Sequence, residues 1–221
     1  MNLARGLERR LENLADGASA SLFRGEMHPI DIATRLVRQV DFLVIETAVG
    51  PEVPNDLVLR LNPADINDSL DRGELSRELA NVVTETAAER GWRLVGPVSI
   101  QIVTSHAVPR GILEAEGVTS TASTQPWGQL IADDGSAILV ISLNRTLLGR
   151  SLDSDIRIAN QEVSRRHVII YRQEGSTMIH DLGSSNGTFV NGARLTNTAV
   201  RLNAGDSVML GDLSFTYRPL F

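Results

Sequence analysis

From Trp127 to its end, the chain reads as short apolar runs broken by turn clusters about every ten residues, and no other feature narrows the fold as much. The runs fall at 137–141, 156–158, 168–171, 178–181, 188–190 and 208–210. Between them lie Asp133-Asp134-Gly135, Glu174-Gly175, Ser184-Ser185-Asn186-Gly187, Asn191-Gly192 and Ala204-Gly205-Asp206. These residue types accept the tight backbone of a reversal. Many short strands at this spacing predict an all-β sandwich over 127–221.

The first half has a longer period. Leu3, Leu7, Leu11 and Leu14 recur at helical spacing and predict an amphipathic helix over 1–16. A second helix starts at Pro29, with Ile30, Ala33, Leu36, Val37, Val40 and Leu43 as its apolar stripe. Leu57, Leu59 and Leu61 alternate with Val58 and Arg60, the pattern of a half-buried strand. A third helix is predicted over 72–90, stopped by Gly91, and Val98, Ile100 and Ile102 mark a second strand. The expectation is an α+β domain over 1–111, helices on one face of a small sheet. Residues 112–126 are polar, rich in Ser and Thr and without apolar period, and read as a linker to the sandwich domain.

Composition removes several function classes. All 21 basic residues are arginine, so Schiff-base and P-loop lysine chemistry are excluded, and the absence of cysteine excludes disulfides and thiolate sites. No stretch reaches the roughly 18 apolar residues of a membrane span, and the charged N-terminus lacks the apolar core of a signal peptide. A soluble, cytoplasmic chain without direct membrane insertion is expected. His28, His106, His167 and His180 are scattered, with no metal-spaced pair, and no Gly-rich nucleotide loop occurs. No cofactor and no metal are expected.

Three clusters stand out in the second half: Leu148-Gly149-Arg150, Ser164-Arg165-Arg166-His167, and Asp181-Leu182-Gly183-Ser184-Ser185-Asn186-Gly187-Thr188. All fall at strand–loop junctions, which a sandwich gathers at its ends. In this order and spacing, Gly-Arg, Ser-x-x-His and Asn-Gly resemble the forkhead-associated (FHA) domain over about residues 127–221. The resemblance implies a two-sheet β-sandwich that binds phosphothreonine peptides with the loops of one end. It implies that Arg150 and Ser164 clamp the phosphate, that Asn186 holds the peptide backbone, and that Gly149 and His167 support the site. The chemistry suits a phosphate of roughly −1.5 to −2 charges with three acceptor oxygens. Arg150 offers a planar fork to two of those oxygens, Ser164 and Ser185 offer hydroxyls, and Arg165 a second charge. Gly187 is expected where the loop needs positive φ. Between Arg145 and His167 there are five arginines and three acids, net +2 in a chain of net −6.

Each residue alone has a plainer reading: Arg150 a solvated strand-end charge, Ser164 a turn cap, Arg165 an exposed charge, Asn186-Gly187 a hairpin turn. Ser164 and His167 could also suggest a nucleophile–base pair. A triad needs a third orienting group and an oxyanion site, and the better-explained role of Ser164 is phosphate binding, so no catalytic residue is assigned.

Gly6-Leu7-Glu8-Arg9-Arg10, Phe23-Arg24-Gly25-Glu26-Met27-His28-Pro29, Val53-Pro54-Asn55 and Gly91-Trp92-Arg93-Leu94-Val95-Gly96-Pro97-Val98 resemble the N-terminal domain of actinobacterial FhaA-type proteins, over about residues 1–105. That resemblance implies a non-catalytic phosphothreonine-dependent adaptor beside Ser/Thr kinases and the cell-wall apparatus. The partners implied are phosphothreonine-bearing proteins, kinases or their substrates, membrane-bound ones included. Helices on a small sheet also suit a KH-type RNA binder. Residues 1–111 carry 12 arginines against 16 acids and no Gly-x-x-Gly loop, so no nucleic-acid partner is expected. Thr119, Thr121 and Thr124 are candidate phosphorylation sites whose modification would place a ligand near the pocket.

Overall fold

The structure is a computed structural model and describes residues 27–47, 49–66, 71–121, 124–173 and 175–220. The helix expected over 1–16 lies outside the described residues. Two compact units divide between residues 122 and 123.

In the first unit, α1 (Pro29–Phe42) is capped by the His28 imidazole, which accepts from the Ile30 N–H, and buries Ile32, Ala33, Leu36 and Val40. A short hairpin of β1 (Ile45–Thr47) and β2 (Gly50–Glu52) follows. Strand β3 (Asp56–Leu61) buries Leu57, Leu59 and Leu61 on one face, the alternation its sequence shows. Helix α2 (Arg72–Arg90) starts at Asp71, whose carboxylate caps the Gly73 and Glu74 N–H groups, and stops at Gly91 in the left-handed region. This crossover lets β4 (Ser99–Thr104) lie parallel to β3. Both helices pack on the Leu57 face of the sheet.

The expected linker 112–126 is not all linker. β5 (Leu113–Val118) pairs antiparallel with the free edge of β3, so the sheet order is β4-β3-β5. Its alternation is genuine but built from small residues. Leu113, Ala115 and Gly117 face the core, and Glu114 and Glu116 face outward, where Glu116 pairs with Arg60 at 2.8 Å. A Cβ on Gly117 would lie 2.6 Å from a Leu57 methyl, so the position takes only glycine without movement. The Asn55 side chain then clips the strand's exit: Nδ2 donates to Pro97 O and Ser120 O, and Oδ1 accepts from Ser120 N–H.

The second unit is a sandwich of two sheets. Its strands are β6 (Gly128–Ala132), β7 (Ile138–Ile141), β8 (Arg145–Gly149), β9 (Ile156–Arg157), β10 (Val168–Gln173), β11 (Ser176–Asp181), β12 (Thr188–Val190), β13 (Ala193–Arg194), β14 (Val200–Leu202), β15 (Ser207–Leu210) and β16 (Leu213–Pro219). One sheet has the order β14-β11-β10-β8-β9, the other β13-β12-β15-β16-β6-β7. Leu148, Val168, Ile170 and Ile179 of the first meet Leu130, Ile141, Val208, Leu210 and Phe215 of the second in a single core. The chain is thus an α+β unit followed by an all-β sandwich. Among the described residues no helix is long and apolar enough to cross a membrane.

Candidate functional site

Strand β8 ends where two segments of the chain cross at backbone distance. A Cβ on Gly149 would lie 2.2 Å from the Arg165 carbonyl oxygen. Main-chain bonds lock the crossing: Arg150 N–H to Ser164 O at 2.9 Å, Ser151 N–H to Arg165 O at 3.1 Å, and His167 N–H to Leu148 O at 3.0 Å. Arg150 therefore leaves the strand beside Ser164. Its Nε donates to Val163 O at 3.2 Å, which fixes the stem of an exposed side chain. The terminal nitrogens of Arg150 and the whole Arg165 guanidinium have no protein partner among the described residues.

His167 has 0% exposure and joins three segments. Its Nδ1 accepts the Ser164 N–H at 3.0 Å, so the proton sits on Nε2, which donates to Gly187 O at 3.2 Å. Its carbonyl oxygen accepts the Leu182 N–H at 2.9 Å. Burial pushes the imidazole below its ordinary pKa, outweighing the Gly187 carbonyl and the Asp181 charge, which favour the proton. Because His167 binds the main chain of Ser164 rather than its hydroxyl, the two do not form a nucleophile–base pair. Instead, Ser164 Oγ accepts the Ser185 N–H at 3.0 Å, and its own hydrogen has no acceptor among the described residues.

The loop 182–187 is organised by Asp181, a residue to which the sequence assigned no role. Its carboxylate accepts from the Gly183 and Ser184 N–H groups at 2.8 Å and from the Ser184 and Thr188 hydroxyls at 2.5 Å. Burial acts to raise its pKa, but the bonds from Ser184, Thr188 and Gly183 together hold it below the usual carboxylate value. The signal available in sequence was Asp-x-Gly-Ser, the composition of a side-chain-capped turn. Gly187 closes the loop at φ +85°, a conformation that favours glycine.

Asn186 is held by a second unassigned residue. Both hydrogens of its amide go to Glu162, one to the carbonyl oxygen at 3.0 Å and one to the carboxylate at 2.7 Å. What the side chain retains is its acceptor, Oδ1. The structure thus gathers Gly149, Arg150, Ser164, Arg165, His167, Ser185, Asn186 and Gly187 at one end of the sandwich. Thr119 and Thr121 flank the clipped Ser120 in the first unit. Thr124 precedes Trp127, whose indole N–H bonds to Leu143 O, beyond the opposite end of β8 from Gly149. Among the described residues no three His, Asp or Glu side chains gather as metal ligands.

Comparison with known proteins divides the chain in the same way. Residues 5–116 match the family described as FhaA, N-terminal domain, and residues 146–211 match the FHA domain. The oxoglutarate dehydrogenase inhibitor of Corynebacterium diphtheriae is 30% identical over 134 residues, 55% of this chain and 92% of that one. The FHA domain-containing protein FhaB of Mycobacterium tuberculosis is 32% identical over 93 residues, 41% of this chain and 59% of that one. The mouse proliferation marker protein Ki-67 is 41% identical over 85 residues, and the chain spans only 3% of its length. Among solved structures, the FhaA FHA domain complexed with the intracellular domain of Rv3910 is 33% identical over 41% of this chain and 99% of that one, with a TM-score of 0.38. Since the first of the two matched families takes in more than half of the residues, and the second the loops just described, the chain belongs to the FhaA family and carries its N-terminal domain ahead of an FHA domain.

Proposed function

We propose that this chain is a non-catalytic, phosphothreonine-dependent adaptor in bacterial Ser/Thr-kinase signalling. The observation that carries the reading is the set of unspent donors at one end of the sandwich. The Arg150 terminal nitrogens, the Arg165 guanidinium and the Ser164 hydroxyl hydrogen have no partner among the described residues, while the Arg150, Ser164, His167 and Ser185 N–H groups beside them are bonded. Preorganised, cationic and donor-rich, the site suits a dianion with three acceptor oxygens. Arg150 holds two phosphate oxygens in a fork, Ser164 donates its hydroxyl, and Arg165 and the Ser185 hydroxyl add charge and a further donor. Asn186 Oδ1 accepts an N–H of the bound peptide. The match of residues 146–211 to the FHA domain supports the same assignment.

The buried, main-chain-bonded His167 speaks against catalysis by Ser164. The kinase context, and a link to cell-wall or cell-division regulation, rests on the resemblance to actinobacterial FhaA-type proteins. The partners are phosphothreonine-bearing proteins, kinases or their substrates, membrane-anchored ones among them, and the first unit serves a second interaction. The test is fluorescence anisotropy against degenerate peptide libraries carrying phosphothreonine, phosphoserine or no phosphate. Selective retention of the phosphothreonine library is expected, at micromolar affinity, about −8 kcal/mol. Equal binding of all three would refute the reading.

A further inference from the structure

Strand β7 is the outer edge of the six-stranded sheet, paired with β6 on one side and with no strand among the described residues on the other. Its residues, Ile138-Leu139-Val140-Ile141, are all apolar. They include no charge and no proline, two devices that blunt an exposed edge. The Ala132 N–H bonds to Ala137 O at 2.9 Å. In this antiparallel register Ala137, Leu139 and Ile141 bond toward β6, and the N–H and C=O of Ile138 and Val140 point out of the sheet edge. The same two side chains are 59% and 47% exposed. On the inner side, Ala137 and Leu139 line a cavity of about 420 Å³ floored by Ile158, Leu213 and Phe215. It lies between β7 and β9, the edge strands of the two sheets.

We propose that β7 pairs antiparallel with β7 of a second copy of this chain, making one continuous sheet across a two-fold axis at Leu139. The strand is self-complementary about that axis. Ile138 of each copy stands opposite Val140 of the other, and each such pair exchanges its outward N–H···O bonds. Leu139 meets the second copy's Leu139 at the non-hydrogen-bonded position, beside both cavities. The outer face gains a β-branched cross-strand pair on each side of the axis. Charge fits the same register. The Asp133-Asp134 turn at one end of β7 passes the Ile141 end of the other copy, where the Arg172 guanidinium lies over the ring of Trp127, whose main-chain N–H bonds to Ile141 O. A parallel pairing would set acid beside acid. Such a dimer carries two phosphate sites and engages a doubly phosphorylated partner bivalently.

The chain has no cysteine, so one introduced thiol reads the register. Sedimentation equilibrium on the unphosphorylated full chain is expected to show a reversible monomer–dimer transition. Ile138→Lys, and separately Val140→Pro, shift it to monomer while keeping the far-ultraviolet dichroism of the wild type. The Val140 N–H points out of the sheet, so proline removes no bond to β6. Leu139→Cys cross-links to itself on mild oxidation, and Ile131→Cys, one strand inward, does not. Arg150→Ala dimerises like the wild type, which separates this interface from the phosphate site. A wild type that stays monomeric throughout its soluble range overturns the proposal. So does a dimer that survives both edge substitutions, or one in which Leu139→Cys fails to cross-link.

Discussion

A buried histidine that accepts one hydrogen bond and donates another has no room for a second proton. Protonating His167 at Nδ1 would set two donors face to face and free the Ser164 main chain on which the proposed phosphate site is built. Its pKa in the folded chain is lowered, so between the ordinary imidazole value, about 6.5, and the lower folded value the unfolded chain binds the extra proton and the folded chain does not. Stability of the sandwich unit is therefore complete above pH 6.5 and falls as pH drops through that window. Urea denaturation at pH 7.5 and 5.5 checks the sign; a sandwich more stable at pH 5.5 would contradict it. Phosphopeptide affinity is expected to fall over a similar range for a separate reason, the second phosphate pKa of about 6. The pairing of Ser164 with His167 was readable from Ser-x-x-His, because the two lie three residues apart in one local motif. The grip of Glu162 on Asn186 was not, because it joins residues 24 apart in sequence through a loop crossing that only the folded chain defines.

The elements show which patterns sequence displays and which it hides. Helices Pro29–Phe42 and Arg72–Arg90 were legible because their caps, the proline at the first turn and Gly91 at the last, are local chemistry. Strand β5 was hidden because its inward residues are Leu, Ala and Gly, and an alternation of small residues looks polar. Its dependence on smallness is testable: Gly117→Ala drives a methyl into Leu57 and Pro54 and is expected to cost about 1–3 kcal/mol of first-unit stability, read by thermal or urea unfolding. An unchanged midpoint would mean that β5 is not held on β3. In the sandwich, the loop 182–187 depends on one carboxylate that collects four donors. Asp181→Ala leaves them without their charged acceptor and is expected to cost at least about 1.5–3 kcal/mol. It is also expected to weaken phosphopeptide binding by loosening the loop that carries Ser185 and Asn186, so peptide titration and unfolding should move together.

For the whole molecule, the division into an α+β unit and a β-sandwich follows from a change of period near Trp127, and the candidate site comes from motifs that land on converging loops. Sheet order and free edges, β7 above all, come from long-range pairing that no window of sequence contains. Placement also decides how linker phosphorylation can act. Thr124 lies three residues before Trp127, a reach of about 11 Å. From the Leu143 oxygen that holds the Trp127 indole to Arg150 is a path of more than about 13 Å along β8. Phosphothreonine at 124 is expected to occupy a sandwich site, seen as concentration-dependent association on kinase treatment that excess phosphopeptide reverses. The measurement closest to the central claim is calorimetric titration of the best phosphothreonine peptide from the library into wild type and Arg150→Ala. Loss of a bidentate charged contact predicts a drop of at least about 1.5–3 kcal/mol, roughly tenfold or more, with the fold intact. Equal affinity in the two proteins would mean that the phosphate is not held by Arg150, and that this end of the sandwich is not the phosphothreonine site.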